Sequence, residues 1–114
     1  MTSEIQIQAK IFQHFHNNHP ETRGLIFHVP NGGKRSKIES TQLKASGVVA
    51  GIPDLLVLRQ GRCYGIELKT DIGRVRPEQI KIHEIWESNG VPVHVCRSFE
   101  ETVKIINCIF GIND

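Results

Sequence analysis

Cysteine is scarce and unpaired in this chain: Cys63, Cys96 and Cys108 are odd in number and show no CxxC spacing, which argues against a disulfide framework or a zinc ribbon. They read as structural thiols in a reducing compartment. No apolar run approaches the length that spans a bilayer, and Met1-Thr2-Ser3-Glu4 is not a secretory signal. Both absences predict an intracellular protein with no membrane partner. A Walker loop is also missing, because Pro30-Asn31-Gly32-Gly33 is not followed by the GK[ST] ending. His14, His16 and His19 make no zinc site, since residues 14 and 16 point to nearly opposite sides of a helix. There is no internal repeat, low-complexity segment or interdomain linker, and 114 residues leave room for one domain, 1–114, around one core.

Net charge is low as well, at +2, too small to announce nucleic-acid binding unaided. Its distribution says more. Lys34, Arg35, Lys37 and Lys44 form one basic segment against the single Glu39, and Arg74 and Arg76 form another. Basic clusters are ordinarily solvated surface; flanking a reactive site, they are suited to phosphate.

The chain opens with Ser3, which can cap a helix whose third residue is Gln6, the S-x-x-Q capping box. Ile5, Ala9, Phe12, Phe15 and His19 supply an apolar stripe, and the helix is expected to run to about Asn18. Leu25 to Val29 reads as a strand, followed by a loop whose Gly32 and Gly33 permit close approach of backbone to a ligand. Ile38 to Ser46 is a short helix ended by Gly47. Pro77 opens a helix through about Asn89, with Gly90 as its stop; Val91 to Arg97 is the last strand; and Ser98-Phe99-Glu100-Glu101 is a capping box opening a C-terminal helix. That helix has more apolar residues than one face needs, from Val103 to Ile112, available for core or for a subunit contact.

The organising stretch is Gly51 to Lys69. Residues 54–59 (DLLVLR) are apolar on both faces, like a strand in the middle of a sheet, and residues 62–69 are a second strand. With Gln60-Gly61 as the tip of a symmetric hairpin, Arg59 faces Arg62, Leu58 faces Cys63, and Asp54 faces Glu67. Opposed strand residues share a face, with Cβ atoms roughly 4.5–5.5 Å apart, and like charges so placed destabilise a sheet. Lys69 lies on that face, roughly 6.6–6.8 Å further along, and supplies one positive charge. A divalent cation would supply the rest. Two carboxylates, the Leu68 carbonyl and waters make a hard-cation site suited to Mg²⁺, with Mn²⁺ as substitute. A cation-free ion triad is the alternative, though such groups are weak stabilisers.

Gly51-Ile52-Pro53-Asp54 followed by Glu67-Leu68-Lys69 resembles the PD-(D/E)XK nuclease signature, and specifically the virus-type replication-repair nuclease (VRR-NUC) domain in its stand-alone form. The context carries the likeness over nearly the whole chain: a first helix bearing Glu4, the loop from His28 to Arg35, and Gln79 in the helix after the second strand. The resemblance agrees with the element order in implying an α/β fold, a restriction-endonuclease-like core with a central mixed sheet of about four strands flanked by helices. It also assigns Glu4, otherwise a complement to the positive helix end, to the edge of a metal site. Gln79, otherwise a surface residue, becomes a site residue.

On this basis the chain is expected to be a metal-dependent endodeoxyribonuclease. The catalytic set is Asp54, Glu67, Lys69, Gln79 and Glu4, and Asp54, Glu67 and Leu68 hold Mg²⁺. Asn31, Gly32, Gly33, Lys34, Arg35, Arg74 and Arg76 contact DNA. Stand-alone members of the family resemble Holliday-junction resolvases, so the expected substrate is a four-way junction and the expected assembly a homodimer. A flap or single-strand nuclease and a noncatalytic DNA-binding module are the alternatives.

Overall fold

In the computed structural model, which describes residues 3–30 and 36–113, the chain builds a four-stranded sheet of order β1-β2-β3-β4 carrying helices. Helix α1 spans Glu4–Asn18 and a 3₁₀ turn covers Pro20–Thr22; β1 is Ile26–His28 and α2 is Lys37–Ala45. Strands β2 (Leu55–Arg59) and β3 (Arg62–Leu68) precede α3 (Pro77–Ser88), β4 (Val93–Cys96) and α4 (Phe99–Phe110). The sheet is mixed: β1, β2 and β3 are antiparallel neighbours, and β4 runs parallel to β3. A parallel neighbour requires a crossover, and α3 supplies it.

The hairpin turns as its sequence predicts. Gln60 and Gly61 both have positive φ, 48° and 79°, as the tight primed turn that matches strand twist demands. Arg59 pairs with Arg62, Leu58 with Cys63, and Leu55 with Ile66. Continuing that register outward brings Asp54 opposite Glu67.

Alternation along β3 divides the molecule. Ile66 and Leu68 point into a core completed by Leu55, Val57, Ile11, Phe15, Ile106 and Phe110, so α1 and α4 cover that face. Gly65 and Glu67 point the other way, to α3. A Cβ on Gly65 would lie 2.8 Å from Pro53 and 3.3 Å from Trp86, so the absent side chain is what lets both rings lie on the strand.

Two apolar patterns resolve differently from their sequence reading. Ser3 and Gln6 do form the capping box of α1, but the buried stripe is Ile7, Ile11 and Phe15. Ile5 and Phe12 are 64% and 43% exposed, beside a groove of about 350 Å³ that they share with Phe27. Isoleucines lie on both sides of this helix, and the sheet receives the row spaced by four, Ile7, Ile11 and Phe15. In α4, Ile106 and Phe110 are buried, while Val103, Ile105 and Ile109, with Ile112 just past the helix, pack half-buried against the same core. The surplus thus packs against the core, each of these side chains keeping part of its surface exposed.

All three cysteines are free: Cys63 is half-buried, Cys96 buried and Cys108 exposed. Burial pushes the Cys96 thiol up to about 11 and raises Cys63 as well, which favours the protonated thiol over the thiolate at both. Among the described residues no helix is long and apolar enough to cross a membrane.

Candidate active site

Asp54 sits just before β2 and is held at both ends. Its backbone carbonyl accepts a 2.7 Å hydrogen bond from His28 Nδ1, and its Oδ2 accepts one of 2.8 Å from the Leu68 amide. The approach is shaped by Gly51, whose φ of +89° excludes most side chains and whose Cβ position lies 2.6 Å from the Glu78 carbonyl oxygen. Gly51 is thus pressed on the first turn of α3, and Pro53 on Gly65. The Gly-x-Pro-Asp segment is wedged between the sheet and that helix.

Glu67 is 1% exposed, an extreme burial for a carboxylate. Gln79 Nε2 donates to its Oε2 at 3.2 Å, and His83 Nε2 lies 3.2 Å from its Oε1. Gln79 is itself oriented, because its Oε1 accepts the Arg76 amide at 2.9 Å at the start of α3. One residue therefore caps a helix and grips an acid. Lys69 follows β3 directly, 6% exposed, its amide tied to the Cys96 carbonyl at 2.9 Å.

Burial, then the neighbouring Asp54, push the Glu67 carboxyl up to about 9, although Lys69 pulls the other way; Glu4 adds a smaller upward push. Burial also holds His83 below the ordinary histidine range, so its ring is neutral at neutral pH. Glu4 reaches the site from the first turn of α1. Its Oε2 lies 3.4 Å from where a Cβ on Gly73 would stand, in the loop after Lys69. Arg97 fastens that loop, donating from Nη1 to the carbonyls of Thr70 at 2.9 Å and Gly73 at 2.6 Å.

The fold thus brings Asp54, Glu67, Leu68, Lys69 and Gln79 together, with Glu4 at their edge. Arg74 and Arg76 are exposed on the loop leading into α3, and Arg76 pairs with Glu78 at 3.3 Å. Asn31, Gly32, Gly33, Lys34 and Arg35 lie outside the described residues. Sequence reasoning missed His83 and His28 as site residues. The signal for His83 was its spacing of four from Gln79, which puts both on one face of α3; nothing local marks His28.

Chemically, the cluster offers two sets of hard carboxyl oxygens at the end of two strands. Each carboxylate retains lone pairs beyond those its protein partners occupy. Among the described residues no three His, Cys, Asp or Glu side chains converge as a metal-holding group. A cation here would rest on two carboxylates, a backbone oxygen and water, a set that suits Mg²⁺.

Comparison with known proteins follows the same lines. The family model described as the VRR-NUC domain matches residues 2–100. A solved structure titled "VRR_NUC domain protein" superposes with a TM-score of 0.80 at 22% identity, covering 100% of this chain and 93% of its own. Another, titled "VRR_NUC domain", gives a TM-score of 0.61 at 26% identity, with coverage of 94% and 97%. No curated protein matches the chain.

Proposed function

The chain belongs to the VRR-NUC nuclease domain family, and from that premise we propose that it is a Mg²⁺-dependent endonuclease that hydrolyses phosphodiester bonds in branched DNA, four-way junctions foremost. The observation that carries the reading is the meeting of Asp54 and Glu67 on one sheet face with Lys69 buried beside them. Two acids so placed cost stability unless a proton, Lys69 or a bound cation compensates them, and their oxygen-only chemistry fits a hard divalent cation.

Asp54, Glu67 and the Leu68 carbonyl would hold the ion, and Glu4 would join through water. Bound there, Mg²⁺ would acidify a water and offset charge on the scissile phosphate. Gln79 fixes one oxygen of Glu67 so that the carboxylate does not turn with its load. Lys69, on the same face as Glu67, orients the attacking water or meets the charge that grows on the phosphoryl oxygens. Exposed Arg74 and Arg76, with Lys34 and Arg35, would hold flanking phosphates. A second copy would supply the second cut that a junction needs. A nucleic-acid substrate and unpaired thiols favour an intracellular setting.

Incubating the purified protein with labelled junction, flap and linear duplex DNA, with and without Mg²⁺, tests the reading. Paired cuts in the junction that need Mg²⁺ are expected. Cleavage confined to flaps would move the substrate, and binding without cleavage on all three DNAs would make the chain a binding module.

A further inference from the structure

We propose that His83 is a positioning residue for the metal-holding carboxylate: its Nε2–H, with Gln79 one helical turn earlier, locks Glu67 in the orientation that receives the ion. The proposal rests on the assignment of Glu67 as a metal ligand. Its own ground is geometric. Gln79 and His83 are the two buried residues of α3, and each meets a different oxygen of one carboxylate, at 3.2 Å in both cases. Glu67 lies on a strand and its two partners on a helix, so the contact fixes the side chain to both layers.

A purely structural account fits this arrangement poorly. A buried carboxylate and imidazole contribute less to stability than apolar residues of similar volume, and the face of α3 that meets Gly65 already has Trp86 to pack with. Donors that contact a ligating carboxylate, by contrast, set its rotamer and its basicity, and losing one typically weakens metal affinity or activity about 10–100-fold.

Three variants test this. His83→Leu fills the space without a donor, and His83→Gln returns an amide nitrogen near the place of Nε2. Glu67→Gln removes the ligand itself. Calorimetric Mg²⁺ affinity, the Mg²⁺ concentration for half-maximal cleavage, and junction affinity in Ca²⁺ are measured for each. Expected for His83→Leu is an approximately 10–100-fold loss in Mg²⁺ affinity with a matching rise in the Mg²⁺ requirement. DNA affinity should stay unchanged, and His83→Gln should recover most of the loss. Adding His83→Leu to Glu67→Gln should cost no further Mg²⁺ affinity, as expected when one residue acts through the other. Should the leucine variant not fold, His83→Asn, whose amide falls short of the Nε2 position, takes its place against His83→Gln. Parental Mg²⁺ affinity in the leucine or asparagine variant overturns the assignment of His83, as does a loss that His83→Gln fails to restore. Unimpaired Mg²⁺-dependent cleavage by Glu67→Gln overturns the underlying site instead, so the two failures are distinct.

Discussion

Asp54 stands against Glu67 at the open end of the β2–β3 hairpin, and the pair is kept from full ionisation: burial first, and then Asp54, hold the Glu67 carboxyl at about 9. A group whose folded pKa exceeds its unfolded value of 4.5 favours folding below that value and opposes it increasingly as the pH rises. Between about 4.5 and about 9 the unfolded chain releases this proton and the folded one retains it. Metal-free protein should therefore lose stability steadily across that range, and Glu67→Gln should lack this component. Thermal melts in chelator, compared between parent and variant, check it; parallel pH slopes would contradict it. Mg²⁺ should restore stability on the alkaline side and release a proton on binding at neutral pH, which calorimetry in buffers of different ionisation enthalpy detects.

Asp54→Asn, Glu67→Gln and Lys69→Ala should each reduce cleavage by at least about a hundredfold, the scale on which a preorganised electrostatic contact acts, while leaving a folded protein that binds DNA. Near-normal Mg²⁺-dependent turnover in any two of them would remove the chemistry from this cluster. For either acid, the amide should also weaken Mg²⁺ binding; unchanged affinity would leave an ion triad.

Gly51→Ala should destabilise the protein by about 1–3 kcal/mol or more, because the backbone there is left-handed and the new methyl would meet the Glu78 carbonyl 2.6 Å away. The damage should spread to the site, since Asp54 hangs from this segment. Denaturant unfolding and Mg²⁺ affinity measured together check both halves.

How far the sequence reveals such details depends on whether they are local. The register from Arg59–Arg62 to Leu55–Ile66 follows from the turn at Gln60-Gly61 and the alternation beside it. Position 67 is thereby assigned to the face of position 54 before any coordinate is known. Helix starts at Ser3 and Ser98 are equally local, each serine accepting the amide three residues on; Ser36 caps its helix in the same way, although the sequence reading began that helix at Ile38. His83 is different. Its spacing shows that it shares a helix face with Gln79, but only the packing of α3 across Gly65 shows that this face looks at Glu67. The stripe of α1 was ambiguous for the same reason: apolar residues occur on two faces, and the choice between Ile7-Ile11 and Ile5-Phe12 is made by the sheet.

Lys34, Arg35, Arg74 and Arg76 are expected to neutralise phosphates. Each alanine substitution at a true contact should lower the magnitude of the slope of log K against log salt by about 0.9 for duplex DNA. Arg76 offers the sharpest case, as its exposed pairing with Glu78 must be traded for the phosphate. Parental affinity and slope would return these residues to ordinary surface.

The final prediction concerns assembly. One site cuts one strand, and resolving a four-way junction takes two cuts related by symmetry, which a two-fold dimer with identical sites supplies without a second polypeptide. The dimer surface is not expected on α4, because its apolar residues Val103, Ile105 and Ile109 pack, half-buried, against the core. Sedimentation at micromolar concentration, alone and with junction DNA, should therefore give a dimer that tolerates polar substitution at the exposed Cys108 on that helix. Mixing active protein with Glu67→Gln protein should yield mixed dimers that nick one strand and leave the junction unresolved. A monomer that makes unpaired nicks on flaps, with or without DNA bound, would falsify the resolvase reading and leave a flap nuclease built on the same site.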